Sequence, residues 1–541
     1  MAGMALLILA GCTPADESSS PSVSAPSSGP ATSTGSTGLV PDSIGQVLAG
    51  SLAPNYSQED LVWDPSSEIT VTLSDSGSTG GQGVAIDGTV VTITRPGNYR
   101  VSGTLTNGQL AVDGTGLVRL ILDRVSITNN SSSALVAKGV DKLVIITAED
   151  TTSTLTDATT YIYPDPATTE PDAALFSSVD TVLGGDGDLV VNGRATDAIT
   201  SKDGLVIASG TLDVTAVDDG IKGRDYLVVS DGIVTVTAGG QGLKSTQDSD
   251  DAAGYILVSG GTIDVTTTGE SSDCVNAITR AMFTGGALTL SCTDDAIHAD
   301  KLVMMEGGEI TVTDSYEGLE SAAVVLAGGK LDVTSTDDTI NATDGSGVGN
   351  PGGGAGGPGG TPGFGGGRGP GTNPGGTEAS GGNAGRPGGG GAGGGGFAVE
   401  NATVDIRGGE ITLNAGGDGI DSNGTIVISG GTTIASGANR AGDGALDSNG
   451  SLTVTGGTVA AIGGSSRMLR TPDEASPQQW FSQDAAINAG DVIIVTTHNG
   501  TFTFTAAKQA QNLVFTSPDL APGASFTVGG ASPIVPECHG G

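Results

Sequence analysis

The chain has 541 residues, 93 of them glycine, while aromatic residues supply only 3%, so small and β-branched side chains must hold it together in place of a bulky aromatic core. Its 21 Lys+Arg stand against 60 Asp+Glu, a formal net charge of −39, and no basic stretch is clustered enough to neutralise phosphates, which excludes nucleic acid as a partner. A polyanion also repels acidic ligands unless bound cations reverse the local field.

In chain order, residues 4–12 come first and read MALLILAGC, an apolar segment too short to span a bilayer that ends in Leu9-Ala10-Gly11-Cys12. It resembles a bacterial lipoprotein signal over residues 1–12, and the resemblance places a lipid on Cys12. The basic opening of such a signal is missing, as expected if translation starts further upstream; the alternative is a hydrophobic stub with an incidental cysteine. Residues 13–40 are rich in Ser, Thr, Pro and Gly without hydrophobic period, a flexible tether. No other segment reaches about 18 consecutive apolar residues. The expectation is an extracellular protein, monomeric, that meets the cell membrane through its lipid anchor only. In that oxidising setting Cys274, Cys292 and Cys538 remain. Cys274 and Cys292 lie on neighbouring repeats, and either pair or stack as two small buried thiols.

Residues 67–190 alternate loosely in period two, as in Val90-Val91-Thr92-Ile93, and read as an N-terminal cap with the first coils of a solenoid. Over 191–345 a short phrase recurs: acidic, small, aliphatic, variable, small. Copies include Asp197-Ala198-Ile199, Asp219-Gly220-Ile221, Gln241-Gly242-Leu243, Asp273-Cys274-Val275, Asp295-Ala296-Ile297, Glu317-Gly318-Leu319 and Asp338-Thr339-Ile340, continuing at Asp418-Gly419-Ile420 and Asp443-Gly444-Ala445-Leu446. The aliphatic anchors from Ile199 to Leu243 and from Val275 to Leu319 step by 22, and Ile340 follows Leu319 by 21. Between anchors lie two or three short strands with Gly-rich corners and no amphipathic helix. A constant phase of this kind predicts an all-β chain, a parallel β-helix of about 22 residues per coil, where a sandwich of antiparallel strands would drift.

The step of 32 from Leu243 to Val275 predicts an inserted loop at Gln247 to Ala253. The step of 80 from Ile340 to Ile420 is mostly residues 346–396, nearly all Gly, Pro and Asn, which cannot bury a core and are expected as a disordered insert. Residues 397–465 carry the last coils. Residues 466–535 gather Trp480, Phe481, Phe502, Phe504, Phe515 and Phe526, an aromatic cap for the solenoid's end.

Stacking at about 4.8 Å per coil turns the phrase into a ladder of carboxylates: Asp197, Asp218, Asp219, Asp273, Asp294, Asp295, Glu317, Asp337 and Asp338, followed by Asp418 and Asp443. Adjacent rungs repel by roughly 3–4 kcal/mol at an effective dielectric near 20. Ca²⁺ offsets such repulsion, because Ca–O distances of about 2.3–2.6 Å let one ion bridge neighbouring rungs. Asn276, Asn341, Glu320, Asp421 and Asp447 would complete a hard-oxygen shell. His298 is the single nitrogen ligand on the ladder, which argues against a transition metal. The competing role for each Asp is to hold the corner's backbone N–H groups without metal. Lys202, Lys222, Arg224, Lys244 and Arg280 lie close to the ladder and either balance its charge or clamp sugar carboxylates, with Lys222 or Lys244 the candidate Brønsted base.

The phrases GQLAVDGTGLVRLILDRVSIT (108–128), ALVAKGVDKLVIITAEDTTSTLTD (134–157), DDGIKGRDYLVVSDGIVTVTAGGQGLKS (218–245) and DDAIHADKLVMMEGGEITVTDSYEGLES (294–321) resemble the secreted bacterial carbohydrate-binding β-helix proteins over residues 67–535. The resemblance implies a right-handed helix similar to pectate-lyase-type polysaccharide lyases, calcium in the coils, and binding of polysaccharide that includes acidic sugars. Two functions remain open on these residues. One is a surface protein that holds polysaccharide, uronate-containing, through the calcium-loaded ladder. The other is a calcium-dependent lyase acting on polyuronates, and the first is preferred because the repeats replace Lys222 and Lys244 freely. A structural adhesin is a third, weaker option.

Overall fold

The computed structural model describes residues 40–163, 165, 167–344, 399–439, 442–464 and 469–541. Cys12, its signal and nearly all of the tether lie outside the described residues, as does the insert at 346–396.

Each repeat makes one coil of three short strands. From Ile221 these are Ile221–Gly223, Tyr226–Val229 and Ile233–Ala238; the next coil has Leu243–Ser245, Tyr255–Val258 and Thr262–Thr267. Every strand pairs in parallel with its counterpart one coil on, with Ile221 opposite Leu243, Leu227 opposite Ile256 and Val234 opposite Ile263. The first strands of the coils stack into one thirteen-stranded wall, antiparallel only where Val84–Asp87 meets Val90–Ile93 at its end. The second and third strands build the other two walls. The chain is a parallel β-helix, as the period predicts.

Alternation decides which side chains fill it. In Ile221–Gly223 the first and third residues are buried and Lys222 between them faces outward. The anchors Ile199, Ile221, Leu243, Val275, Ile297, Leu319, Ile340 and Ile420 are at most 1% exposed, each contributing about 1.5–3 kcal/mol by burial. Cys274 and Cys292 are joined in a disulfide, their Cα atoms 5.6 Å apart; Cys538 is a free, half-buried thiol.

The phase breaks appear as insertions between strands. Most of the first falls between Leu243–Ser245 and Tyr255–Val258, with the remainder before Val275–Ala277, where Ser271 takes a left-handed backbone, φ 55°. Across the long insert the register resumes without loss: Ile340–Ala342 pairs with Asp421–Ser422 and Ala323–Leu326 with Thr403–Ile406. At the far end Ala510–Thr516 pairs antiparallel with Thr458–Gly463 and with Trp480–Ile487, burying Phe481 and Phe515. That antiparallel pairing occupies the last parallel edge.

One feature escapes the sequence reading. Residues 41–67, ahead of the strand Glu68–Ser74, form an extended arm along the stack. Arg407 donates to the carbonyls of Pro41 and Asp42 at 2.9 and 3.1 Å. The Ile44 N–H donates to Glu306 at 2.9 Å, Tyr255 donates its hydroxyl to the Leu52 carbonyl at 2.6 Å, and the Asn55 N–H donates to the Tyr226 hydroxyl at 2.8 Å. Lys142 then pairs with Asp60 at 3.1 Å. The arm therefore travels from the coil of residue 407 back to the coil of residue 142. It also contains a short helix, Ile44–Ala49, capped by the Ser43 side chain, so the absence of helix holds for the repeats and not for the arm.

Candidate functional site

The acidic residue of each phrase sits at the corner leading into the thirteen-stranded wall, and at Asp197, Asp219, Asp273, Asp338 and Asp418 its side chain also fixes that corner. One oxygen accepts the backbone N–H of the equivalent residue in the next coil: Asp197 from Asp219 at 3.2 Å, Asp219 from Gln241 at 3.1 Å, Asp273 from Asp295 at 3.1 Å, and Asp338 from Asp418 at 2.6 Å. Gln241 does the same for Asp273 through its amide oxygen, at 2.5 Å, and Asp418 for Gly444. The turn role and the ladder therefore coexist, because fixing the corner uses a single oxygen.

The second oxygen meets the variable residue of the phrase, which faces outward. Register aligns these residues into one column: Thr200, Lys222, Lys244, Asn276, His298, Glu320, Asn341 and Asp421. Their chemistry changes along it. In the early coils Lys222 pairs with Asp197 and lies 3.6 Å from Asp219, and Lys244 pairs with Asp219 at 2.9 Å. In the middle coils Asn276 donates to Asp273 at 2.6 Å, and His298 Nδ1 meets Asp295 at 3.2 Å and Glu320 at 2.9 Å. In the late coils Glu320, Asn341 and Asp421 face Glu317, Asp338 and Asp418, and among the described residues no lysine or arginine lies within 4 Å of Glu317, Asp338, Asp418 or Asp421.

Protonation follows this gradient. Burial opposes a charge on Lys222, but the Asp197 and Asp219 carboxylates outweigh it and hold the ammonium well above the usual lysine range. Burial likewise opposes protonation of His298, yet hydrogen bonds to Asp295, Asp300 and Glu320 push the imidazolium up to about 12. In the late coils burial and like charge act together. Glu317 is pushed up to about 9 by burial with Asp295 and Glu320 nearby, and Asp418 to about 9 by burial with Asp338 nearby. Asp421 rises to about 8 and Asp338 to about 7, burial again leading.

These contacts sort the expected residues. Asp197, Asp218 and Asp219 bring carboxylate oxygens within 4.8 Å of one another, as do Asp273, Asp294 and Asp295. The first trio is already served by Lys222, so it does not suit a metal. Lys222, held as a cation between two carboxylates, is also unsuited to act as a Brønsted base. Among the described residues no three carboxylates of the late column converge as closely as those trios, but there Asn341 Oδ1 is buried with no hydrogen-bond partner while its amide donates to Glu317 at 2.9 Å. An orphaned amide oxygen beside carboxylates is the donor set that Ca²⁺ prefers.

Other expectations need correction. Arg280 is not on the column: it opens the strand Arg280–Phe283 on the neighbouring wall and donates to the Asp251 carbonyl at 2.7 Å, bracing the inserted loop together with Lys301. Lys202 and Arg224 lie in the turns after the column strands, where Lys202 pairs with Glu170 at 2.8 Å and Arg224 faces Asp225 at 3.8 Å. Asp443 falls one residue short of the corner, since Leu446 bridges to Ile420 and Gly444 takes the corner position. Asp218, Asp294 and Asp337 each precede a corner residue; Asp218 is exposed and the other two half-buried.

The fold and the column together define a parallel β-helix that carries one ladder of ionisable side chains along one wall. Residues 87–353, which include the column from Asp197 to Asn341, match the protein family described as carbohydrate-binding domain-containing protein. A carbohydrate-binding domain-containing protein of Acetivibrio thermocellus is 36% identical over 136 residues, covering 25% of this chain and 48% of that protein. The match thus spans about half the length of that curated relative. A polysaccharide lyase-like protein from C. thermocellum, known from its solved structure, is 28% identical over 44% of this chain and 96% of that one, with a TM-score of 0.43.

Proposed function

We propose that the protein is a cell-surface carbohydrate-binding protein, a monomer anchored through Cys12, that holds uronate-containing polysaccharide through calcium on its carboxylate column. The observation that carries this reading is the late column, where Glu317, Asp338, Asp418 and Asp421 feel one another's or neighbouring carboxylates, have no basic partner among the described residues, and stand with Asn341 Oδ1, which points to no donor. These residues would hold the ion. Bound there, Ca²⁺ supplies positive charge that a uronate carboxylate can share. A chain of net charge −39 otherwise repels a polyuronate, so the carboxylates, the ion and the ligand form one argument. The family match at 87–353 supports a sugar ligand.

The test is binding of polygalacturonate to the full chain with calcium and with excess chelator. Binding is expected with calcium, lost in chelator, and weakened at least tenfold in Asp418→Asn/Asp421→Asn. Binding that persists in chelator overturns the mechanism. Release of unsaturated products, read by their ultraviolet absorbance, would replace it with a lyase.

A further inference from the structure

Far from the column, the first coils and the end of the arm enclose a groove of about 560 Å³, a size within the roughly 300–1,000 Å³ typical of small-molecule sites. The arm contributes Leu61 and Trp63; the coils contribute Arg100, Asp123, Arg124, Glu149 and Asp186. Leu61 and Trp63 precede the stretch that matches the carbohydrate-binding family. Trp63 is half-buried, and its indole N–H donates to Glu68 at 2.8 Å. Arg100 clasps the same Glu68 through two nitrogens at 2.6 and 3.0 Å and reaches Asp123 at 3.3 Å. An aromatic ring is thereby held in a fixed place at the edge of a polar groove.

Arg124 sits there by local design of the backbone. Val101 pairs with Leu122 and Gly103 with Val125, so Asp123 and Arg124 together oppose one residue and form a β-bulge, a device that re-aims side chains. Arg124 is left-handed, φ 57°, a conformation that an L-residue adopts only at a cost. Later coils turn this corner with glycine pairs such as Gly307-Gly308, where φ is 88° at Gly308. At Arg124 a strained arginine stands instead, its side chain 69% exposed and 2.9 Å from Asp123.

We propose that this groove is a second saccharide site, one that takes a neutral pyranose residue stacked on Trp63, with Arg124, Asp123, Glu149 and Asp186 bonding its hydroxyls. The chemistry selects the ligand. Tryptophan offers an apolar face to the C–H side of a sugar ring, and a guanidinium beside carboxylates supplies both donors and acceptors for hydroxyl groups. Two arginines against three carboxylates leave no excess of positive charge for a uronate, and the arginines already paired with Asp123 disfavour a metal. The site owes nothing to the calcium column.

Calorimetric titration of the full chain in excess EDTA separates the two sites, with xylotetraose, mannotetraose, cellotetraose and trigalacturonate as probes. At least one neutral tetrasaccharide is expected to bind saturably without calcium. Its affinity should fall at least tenfold in Trp63→Ala and in Arg124→Gly, and stay within about threefold in Trp63→Phe, which keeps the ring. Arg124→Gly relieves the left-handed backbone, so its melting temperature should match or exceed that of the parent while binding is lost. No saturable binding of any neutral probe, equal binding of trigalacturonate, or full binding by a folded Arg124→Gly protein would each overturn the proposal.

Discussion

Lys222 and Asp421 occupy equivalent places on the same wall, at the same position of the same phrase, one an ammonium and the other a carboxyl group. The corner beside each is built the same way, by a carboxylate oxygen on the next coil's N–H: Asp197 for Asp219, Asp338 for Asp418. Where this bond forms, the fold uses one oxygen of the corner residue and leaves the other to whatever the variable position supplies. In the early coils that is an ammonium, and the carboxylates are neutralised from within. In the late coils it is another oxygen, and among the described residues no lysine or arginine pairs with Glu317, Asp338, Asp418 or Asp421. A single outward residue per coil sets the electrostatics without touching the core.

Swapping the character of one half should break this contrast most sharply. Lys222→Ala leaves the buried Asp197 without its ammonium, while Asp219 keeps Lys244 at 2.9 Å, and loss of one partner of a buried pair costs about 3–5 kcal/mol. The melting temperature should drop, Asp197→Asn in the same chain should restore part of it, and Lys222→Ala/Lys244→Ala should gain a calcium response in its early coils. A double variant as stable as the parent would show that the early pairs are not needed for neutralisation.

Next in size is the late half. Its carboxylates titrate higher in the folded than in the unfolded chain, where they sit near 4, so the folded state binds more protons and stability falls as pH rises. In chelator, the protein should be most stable near pH 4–5 and weaken progressively up to about pH 9, the window set by Asp338, Asp421, Asp418 and Glu317. Calcium at a hundred times its dissociation constant should add about 2.7 kcal/mol at pH 8, and Asp418→Asn should remove that increment while flattening the pH slope. A melt insensitive to both pH and calcium would leave the corner hydrogen bonds as the only role of these residues.

The smallest expected effect concerns the insert. Asn341 pairs with Asp421 across it, so the late column is continuous in space. Replacing residues 346–396 by a short Gly-Ser linker should keep the melting temperature within a few degrees, with a gain of at most about 2 kcal/mol from the shorter loop. The calcium increment should survive. Its loss would mean that the two sides of the column are not aligned as described.

Periodicity made the solenoid legible because each coil repeats the same burial pattern around an anchor such as Ile221 or Ile297. The column was legible for the same reason, except where phase slipped: the extra residue in Asp443-Gly444-Ala445-Leu446 hides that Gly444 takes the corner. Arg280 lies off the column because the ordinary corner after Val275–Ala277 carries it onto the second wall, opposite Tyr255 and Leu302, and nearness in sequence does not say which wall a residue reaches. The groove was invisible to repeats, since Trp63 comes from an arm outside them and meets Arg100 and Arg124 only through folding. Two signals did exist: Trp63 is one of just 2 tryptophans, and Asp123-Arg124 stands where later coils place glycines.

The arm also determines how the molecule carries force. Tension applied to the chain ahead of Pro41 enters beside Arg407, then meets the contacts at Glu306, Tyr255, Tyr226 and Lys142 one after another. Contacts loaded in series yield singly, so the arm peels before any coil is strained. Its release pays out roughly 90 Å of extended chain, a shock absorber ahead of the stacked strands. The last contacts to yield lie next to Leu61 and Trp63, so a ligand gripped there would stiffen the end of the arm, and pulling hard enough to free the arm would let that ligand go.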